Sequence, residues 1–220
     1  MTTSRVLDSA VKADHLYMPE DHMDDLYSCK NPLVRFVHVG RLDAIVGQIP
    51  KKNGLRILDA GCGEGHLLER LHNKYPDQQY YGADITDVAL EQARGRCPFA
   101  ELSRTNLMQT GFPDEFFDVV TCTEVIEHIY EYAEVIKELK RIIKREGRLI
   151  MTFPNEVLWT ISRFFLGRRP IKVPDHVNAF NPRRMNYIVN LKIKKQLNLP
   201  FGLPFAFSLN GLMNFVKEAP

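Results

Sequence analysis

The chain has 220 residues, enough for one α/β domain with a small appendage. Hydrophobic residues make up 45% and charged residues 25%, an ordinary globular balance, and a net charge of +2 sets up no strong field for nucleic acid. Cys29, Cys62, Cys97 and Cys122 share no C-x-x-C spacing, which argues against a metal knuckle or a disulfide framework and for a reducing compartment. No metal site is therefore expected, and the expected location is cytoplasmic.

The first segment, Met1–Asp14, is polar and mixed in charge and lacks the apolar core of a signal peptide. Val34–Ile49 has helical apolar spacing through Phe36, Val37, Leu42, Ile45 and Val46. Residues 1–50 are expected to form a helical cover over the ligand end of a sheet. From residue 51 strand and helix signals alternate, the pattern of a parallel sheet with helices on both faces. Strands are predicted over 56–60, 79–83, 100–103, 117–122 and 148–153, with helices over 65–74, 87–95 and 130–144. Beyond Pro154 the pattern loosens. Val157–Leu166 reads as a helix bearing Trp159, Phe164 and Phe165, and a basic loop with Arg168, Arg169 and Lys172 follows. Another helix is predicted to start near Asn181-Pro182. Residues 154–190 thus read as a substrate-side insertion.

The most informative stretch is Leu58-Asp59-Ala60-Gly61-Cys62-Gly63-Glu64-Gly65. A strand that stops in Gly-x-Gly-x-Gly and passes into a helix lets a nucleotide-like ligand lie against the main chain. The spacing differs from the Gly-x-Gly-x-x-Gly that fits a dinucleotide pyrophosphate, which disfavours an NAD-dependent oxidoreductase. The next strand ends in Asp84, a carboxylate placed to accept hydrogen bonds from ribose hydroxyls. The ligand reads as an adenosine without a pyrophosphate.

Several segments then join in one order: Leu58–Gly65, Tyr81–Ile85, Asn106-Leu107, Phe112–Val120, Glu124-Val125-Ile126-Glu127-His128 and Gly147–Asn155. Together they resemble the class I S-adenosylmethionine-dependent methyltransferases. The nearest subgroup includes the ubiquinone-biosynthesis O-methyltransferases. The resemblance implies a Rossmann-like, mostly parallel sheet over 51–220 with helices on both faces and a C-terminal antiparallel hairpin. It implies that Asp59, Gly61, Cys62 and Gly63 surround the methionine part of the cofactor and the ribose. Asp84 would hold the ribose, Ile85, Asn106 and Leu107 would flank the adenine, and Thr123 and Glu124 would line the reacting end. It places His176 over the substrate mouth. Cys62 reads as a small filler in the turn, and Asp118 as a structural acid at a strand start.

The expected reaction moves a methyl group from S-adenosylmethionine to a small-molecule acceptor, leaving S-adenosylhomocysteine. The acceptor is expected to react through a hydroxyl or carbon, and it is open to being amphipathic or lipid-linked. A hydroxyl acceptor favours a histidine base, His176 or His128. A non-catalytic cofactor-binding module and an RNA methyltransferase stay as alternatives, with nucleic acid disfavoured by the charge. The uncharged stretch Gln196–Val216 is long enough for a membrane span, yet Pro200, Gly202, Pro204 and Gly211 argue against one. Contact with a membrane surface stays open. The same prolines put the hairpin in doubt, with Leu191–Lys195 and Leu212–Val216 as its candidate strands. It is expected to be shortened, rearranged or completed by a second copy, so monomer and homodimer both remain.

Overall fold

The computed structural model describes residues 27, 30–165 and 176–219. Seven strands form one sheet: β1 Arg56–Ala60, β2 Gln79–Asp84, β3 Ala100–Arg104, β4 Phe117–Thr123, β5 Ile143–Pro154, β6 Lys192–Leu199 and β7 Asn210–Val216. Their order across the sheet is β3-β2-β1-β4-β5-β7-β6. The first five are parallel, and β7 runs antiparallel between β5 and β6.

Helices α1 Pro32–Val46, α2 His66–Lys74 and α3 Asp87–Arg96 bring Leu42, Ile45, Leu68, Leu71 and Leu90 to a core with Ile57, Tyr80, Val119 and Ile150. On the other face α4 Tyr132–Ile142 and α6 Pro182–Val189 bury Val135, Leu139, Met185 and Val189 against Leu58, Val120, Leu149 and Phe215. The central strands therefore send alternate side chains into two apolar layers, as a period of two requires. The remaining helix, α5 Glu156–Phe165, buries none of its residues and lies beyond the end of β5.

Local chemistry accounts for two of the helix starts. Asn31 caps α1, its side-chain oxygen accepting from the Leu33 and Val34 N–H groups with Pro32 in the first turn. Asn181 caps α6 in the same way through the Arg184 N–H, again with a proline in the first turn. Asp118 is structural, as read from the sequence: its carboxylate accepts from the Arg56 N–H at 2.9 Å and from Lys144 Nζ at 2.8 Å. These donors hold the Asp118 carboxyl below its usual range against the opposing effect of burial, the largest single influence on it.

The expected doubt over the hairpin is corrected. β6 and β7 pair within the one chain from Lys192↔Val216 to Leu199↔Asn210, and β7 pairs with β5 from Arg148↔Val216 to Pro154↔Asn210. Pro200 and Pro204 stand in the connection between the two strands, where no ladder hydrogen bond is required of them. Met213 and Phe215 of β7 are fully buried, so the uncharged stretch is core strand and connecting loop. Among the described residues no helix is long and apolar enough to cross a membrane.

Candidate functional site

The chain reverses direction at the carboxyl end of β1. Gly61 and Gly63 both have positive φ, 81° and 49°, which side-chain-bearing residues rarely adopt. The N–H groups of Gly61 and Cys62 both point to the Ala83 carbonyl of β2, at 2.7 and 3.1 Å, which ties the turn to the neighbouring strand. A Cβ on Gly61 would stand 2.4 Å from Val125 Cγ2, so the loop after β4 closes against bare backbone. A Cβ on Gly63 would meet nothing within 4 Å, so that side of the turn faces open space.

Asp84 stands at the tip of β2 and faces this space. Its Oδ2 accepts from the Gly63 N–H at 2.9 Å, and its Oδ1 accepts from the Thr86 N–H and hydroxyl at 2.9 and 2.6 Å. A carboxylate offers about four lone-pair sites. The protein fills three, and rotation of the Thr86 hydroxyl frees another. Two ribose hydroxyls can be met without breaking either backbone bond.

Asp59, one step before the turn, is 2% exposed and accepts from the Thr121 hydroxyl at 2.7 Å. Burial pushes its carboxyl up to about 7; the Thr121 bond opposes the rise and the charge of Asp84 adds to it. A buried carboxyl so poised is matched to a cationic group such as an amino acid's ammonium. The Cys62 thiol is driven upward by its own burial and by Asp59 and Asp84, so it stays a protonated filler rather than a nucleophile. In the loop after β3, expected to flank the adenine, Asn106 bends the chain, its side-chain oxygen accepting from the Met108 N–H at 2.9 Å, and Leu107 is buried beside it. Ile85 follows Asp84 directly, its carbonyl held by Arg104 Nε at 3.1 Å.

The far side begins at Glu124, the residue after β4, whose φ is 55°. Arg41 of α1 meets its Oε2 at 3.0 Å, and Asn210 Nδ2 donates to the same oxygen at 2.9 Å. Arg41 is 6% exposed and also hydrogen-bonds Tyr27. Tyr27 sits against His38 and His66, and His38 against Trp159 of α5. Helix α1 and α5 thus roof the end of the cleft beyond Thr123 and Glu124.

Next along the chain is the turn Ile126–His128. The Glu127 carbonyl accepts from the Val177 and Asn178 N–H groups at 2.9 and 3.0 Å, which lays the segment after residue 175 across the turn. The His128 and His176 rings meet edge to face, with centroids 4.7 Å apart. His176 Nδ1 lies 2.6 Å from Glu156 Oε1. Burial drives the Glu127 carboxyl well above its usual range; Glu124 adds to the rise and Arg41 opposes it.

A family model for the methyltransferase domain matches residues 58–151. Over those residues the chain is similar to the S-adenosylmethionine-dependent methyltransferases. A Mycobacterium tuberculosis protein named "Probable S-adenosylmethionine-dependent methyltransferase" is 28% identical over 137 residues, which is 62% of this chain and 46% of that protein. The ubiquinone biosynthesis O-methyltransferase of Actinobacillus pleuropneumoniae is 32% identical over 58% of this chain and 57% of its own length. The matched part of the chain spans about half the length of these relatives. Among solved structures, the magnesium protoporphyrin IX methyltransferase of Synechocystis, with bound S-adenosylhomocysteine, superposes with a TM-score of 0.69 at 20% identity, over 90% of this chain and 94% of that one. It shares the fold.

The cofactor of the domain is S-adenosylmethionine, and the open Gly63 turn, Asp84 and Asp59 suit its adenosine and amino-acid parts. The structure gathers Asp59, Gly61, Cys62, Gly63 and Asp84 around one turn, and sets Thr123 and Glu124 at the end of the neighbouring strand. Arg168, Arg169 and Lys172, expected at the mouth, lie outside the described residues. Sequence reasoning missed Arg41, Tyr27, Glu156 and Asn210. Each is a single polar residue that belongs to no motif, and only tertiary contact brings it to the cleft. Glu127 stood inside a quoted motif, but nothing local showed that its carboxylate is buried.

Proposed function

We propose that this protein transfers the methyl group of S-adenosylmethionine to a hydroxyl of a small amphipathic acceptor. The observation that carries this reading is the pair His128 and His176, whose rings meet edge to face, with His176 held by Glu156 and its segment tied through Val177 to the Glu127 carbonyl, a few residues after Thr123 and Glu124. Bound in the cleft, the cofactor supplies an electrophilic methyl group whose leaving group is a neutral thioether. The chain's own residues then have three tasks. Asp59 and Asp84 fix the donor's two ends, with Ile85, Asn106 and Leu107 at the adenine. Tyr27, His38, Arg41 and Trp159 exclude water above it, so that alignment supplies much of the acceleration. His128 and His176 handle the proton that the acceptor hydroxyl must lose, a contribution of about 10²–10⁴-fold.

The acceptor's apolar part follows from the rim. The strand registers place the 200–209 connection at the same edge of the sheet as the ends of β4 and β5. At that edge Phe201 and Phe207 are 68% and 70% exposed, and Phe164 and Phe165 of α5 are 63% and 81% exposed. Phe36 of α1 stacks on Phe201 at 5.9 Å. Such a collar suits a lipid-tailed acceptor or a membrane surface next to it.

The test combines calorimetry with S-adenosylmethionine, S-adenosylhomocysteine and NAD with methyl transfer to paired hydroxylated acceptors, each with and without a lipid tail. The first two ligands bind, NAD does not, and the tailed acceptors form methyl ethers faster. His128→Ala and His176→Ala each lower kcat with little change in cofactor affinity. Cofactor binding without turnover on any acceptor would make the protein a binding module. Equal rates on tailed and untailed partners would remove the role of the collar.

A further inference from the structure

We infer that the cavity at the amino ends of β1 and β4, walled by Lys52, Arg145 and Arg148, is a binding site for one phosphate-bearing anion, either inorganic phosphate or a small phosphate monoester. Leu55 and Asp118 complete the wall, at the end of the sheet opposite the glycine turn, so the cavity is separate from the residues proposed to hold the cofactor. Its volume is about 240 Å³. A water molecule takes about 30 Å³ of the liquid, so a phosphate group and a short ester chain fit. Pockets for drug-sized ligands run from about 300 to 1,000 Å³, which sets a nucleotide aside.

The sheet is interrupted where the cavity forms. Between the pairs Phe117↔Ile143 and Val119↔Arg148, the single residue Asp118 of β4 stands opposite Lys144, Arg145, Glu146 and Gly147 of β5. This bulge leaves the four without partners on β4, and Glu146 turns them through a positive φ of 60°. The facing wall is fixed by hydrogen bonds. The Lys52 N–H donates to the Pro50 carbonyl at 2.9 Å. Gln78 holds both ends of 52–55, its Nε2 donating to the Lys52 carbonyl at 3.0 Å and its Oε1 accepting from the Leu55 N–H at 2.7 Å.

Charge decides the class of ligand. The two acids of the wall already have donors: Asp118 accepts from the Arg56 N–H and Lys144 Nζ, and Glu146 accepts from the Ala219 N–H at 3.1 Å. Arg145 shares Glu115 with Lys217, each at 3.3 Å. Lys52 and Arg148 have no such relief, since among the described residues neither forms an ion pair. Arg148 Nη1 donates to a neutral oxygen, the Gln48 carbonyl, at 2.6 Å, which pins the guanidinium at the wall with most of its donors unused. Its half-burial holds the guanidinium below its usual range, and no acid offsets the fall. A partly buried cation gains from an anion. The guanidinium fork meets two phosphate oxygens at once, and the Lys52 ammonium adds a point charge beside it.

Calorimetric titration of the intact chain with inorganic phosphate, glycerol 3-phosphate and acetate, at an ionic strength fixed by sodium chloride, tests the site. One equivalent of phosphate is expected to bind saturably and to raise Tm, as a ligand of the native state does, while acetate does neither. Arg148→Met and Lys52→Gln each weaken phosphate binding at least tenfold and leave S-adenosylhomocysteine affinity unchanged. Lys52 is exposed, so its variant reports on the site even where Arg148→Met disturbs the sheet. Tighter binding of glycerol 3-phosphate than of phosphate supports an ester as the ligand, and equal or weaker binding supports the free ion. Absence of saturable phosphate binding, equal binding of acetate, or unchanged phosphate affinity in both variants would overturn the site. The methyl-transfer reading stands or falls separately, at the other end of the sheet.

Discussion

Asp84 and Asp59 divide the work of the cleft between a wet carboxylate and a dry one. Asp84 is already bonded to backbone at Gly63 and Thr86, so in the proposed reading one group holds both the turn and the ribose. Asp84→Ala should raise the Kd for S-adenosylhomocysteine by about 10–100-fold, the loss of one or two hydrogen bonds to a charged acceptor. Calorimetry checks this. Asp59 presents the opposite case. Its folded value, about 7, lies above that of an unfolded aspartate, so the native state holds a proton that the unfolded chain gives up. Its contribution to stability is therefore present below the unfolded value near 4 and is lost as pH rises toward 7. Asp59→Asn keeps an acceptor for Thr121 and removes the charge. It should stabilise the protein by about 1–3 kcal/mol at pH 8 and by little at pH 4, read as the difference in Tm. The same change should weaken binding of the ammonium-bearing cofactor, so stability and function oppose each other at this residue.

Between residue and fold stands the contact of the β1 turn with the loop after β4. Gly61 and Val125 come from different strands, yet no Cβ fits between them. Gly61→Ala should cost about 1–3 kcal/mol from strained backbone together with the clash. Val125→Ala should recover the clash but not the strain, a coupling that a double-mutant cycle in denaturant measures. How much of these elements can be read from sequence follows the same division. The glycines at 61, 63 and 65 and the acid at 84 are local signals, since each acts through its own backbone or strand end. The prolines at 200 and 204 misled, because a missing N–H matters only inside a ladder, and neither residue is in one. β6 shows little alternation, being an edge strand exposed along most of its length, so periodicity gives it no mark. Val125 as the partner of Gly61, and the crossing of His176 over Glu127, are contacts between distant segments and leave no trace in either segment alone.

At the scale of the molecule, the single sheet gathers everything reactive at one edge. The carboxyl ends of β1, β2 and β4 carry the residues proposed to hold the cofactor, and the reversal at β7 brings Asn210 back to the same edge as a donor to Glu124. The opposite edge holds structural charge pairs such as Asp118 with Lys144. The exposed phenylalanines Phe164, Phe165, Phe201 and Phe207 lie on the side roofed by α1 and α5, where the proposed acceptor would enter. The three described thiols add a property of another kind. Cys62 lies in the cofactor turn, Cys97 closes α3 against Gly65, and Cys122 lies in the middle of the sheet, all of them buried. Burial also raises the pKa of each thiol, so none offers a reactive anion at neutral pH. In a Cys29→Ser background, alkylation of the native protein should therefore wait on opening of the fold, and each thiol becomes a clock for a different part of it. Saturating S-adenosylhomocysteine should slow the clock at Cys62 most. Mass spectrometry of time-quenched samples would give a map of local opening from the wild-type sidechains themselves, without a dye, a tag or an isotope.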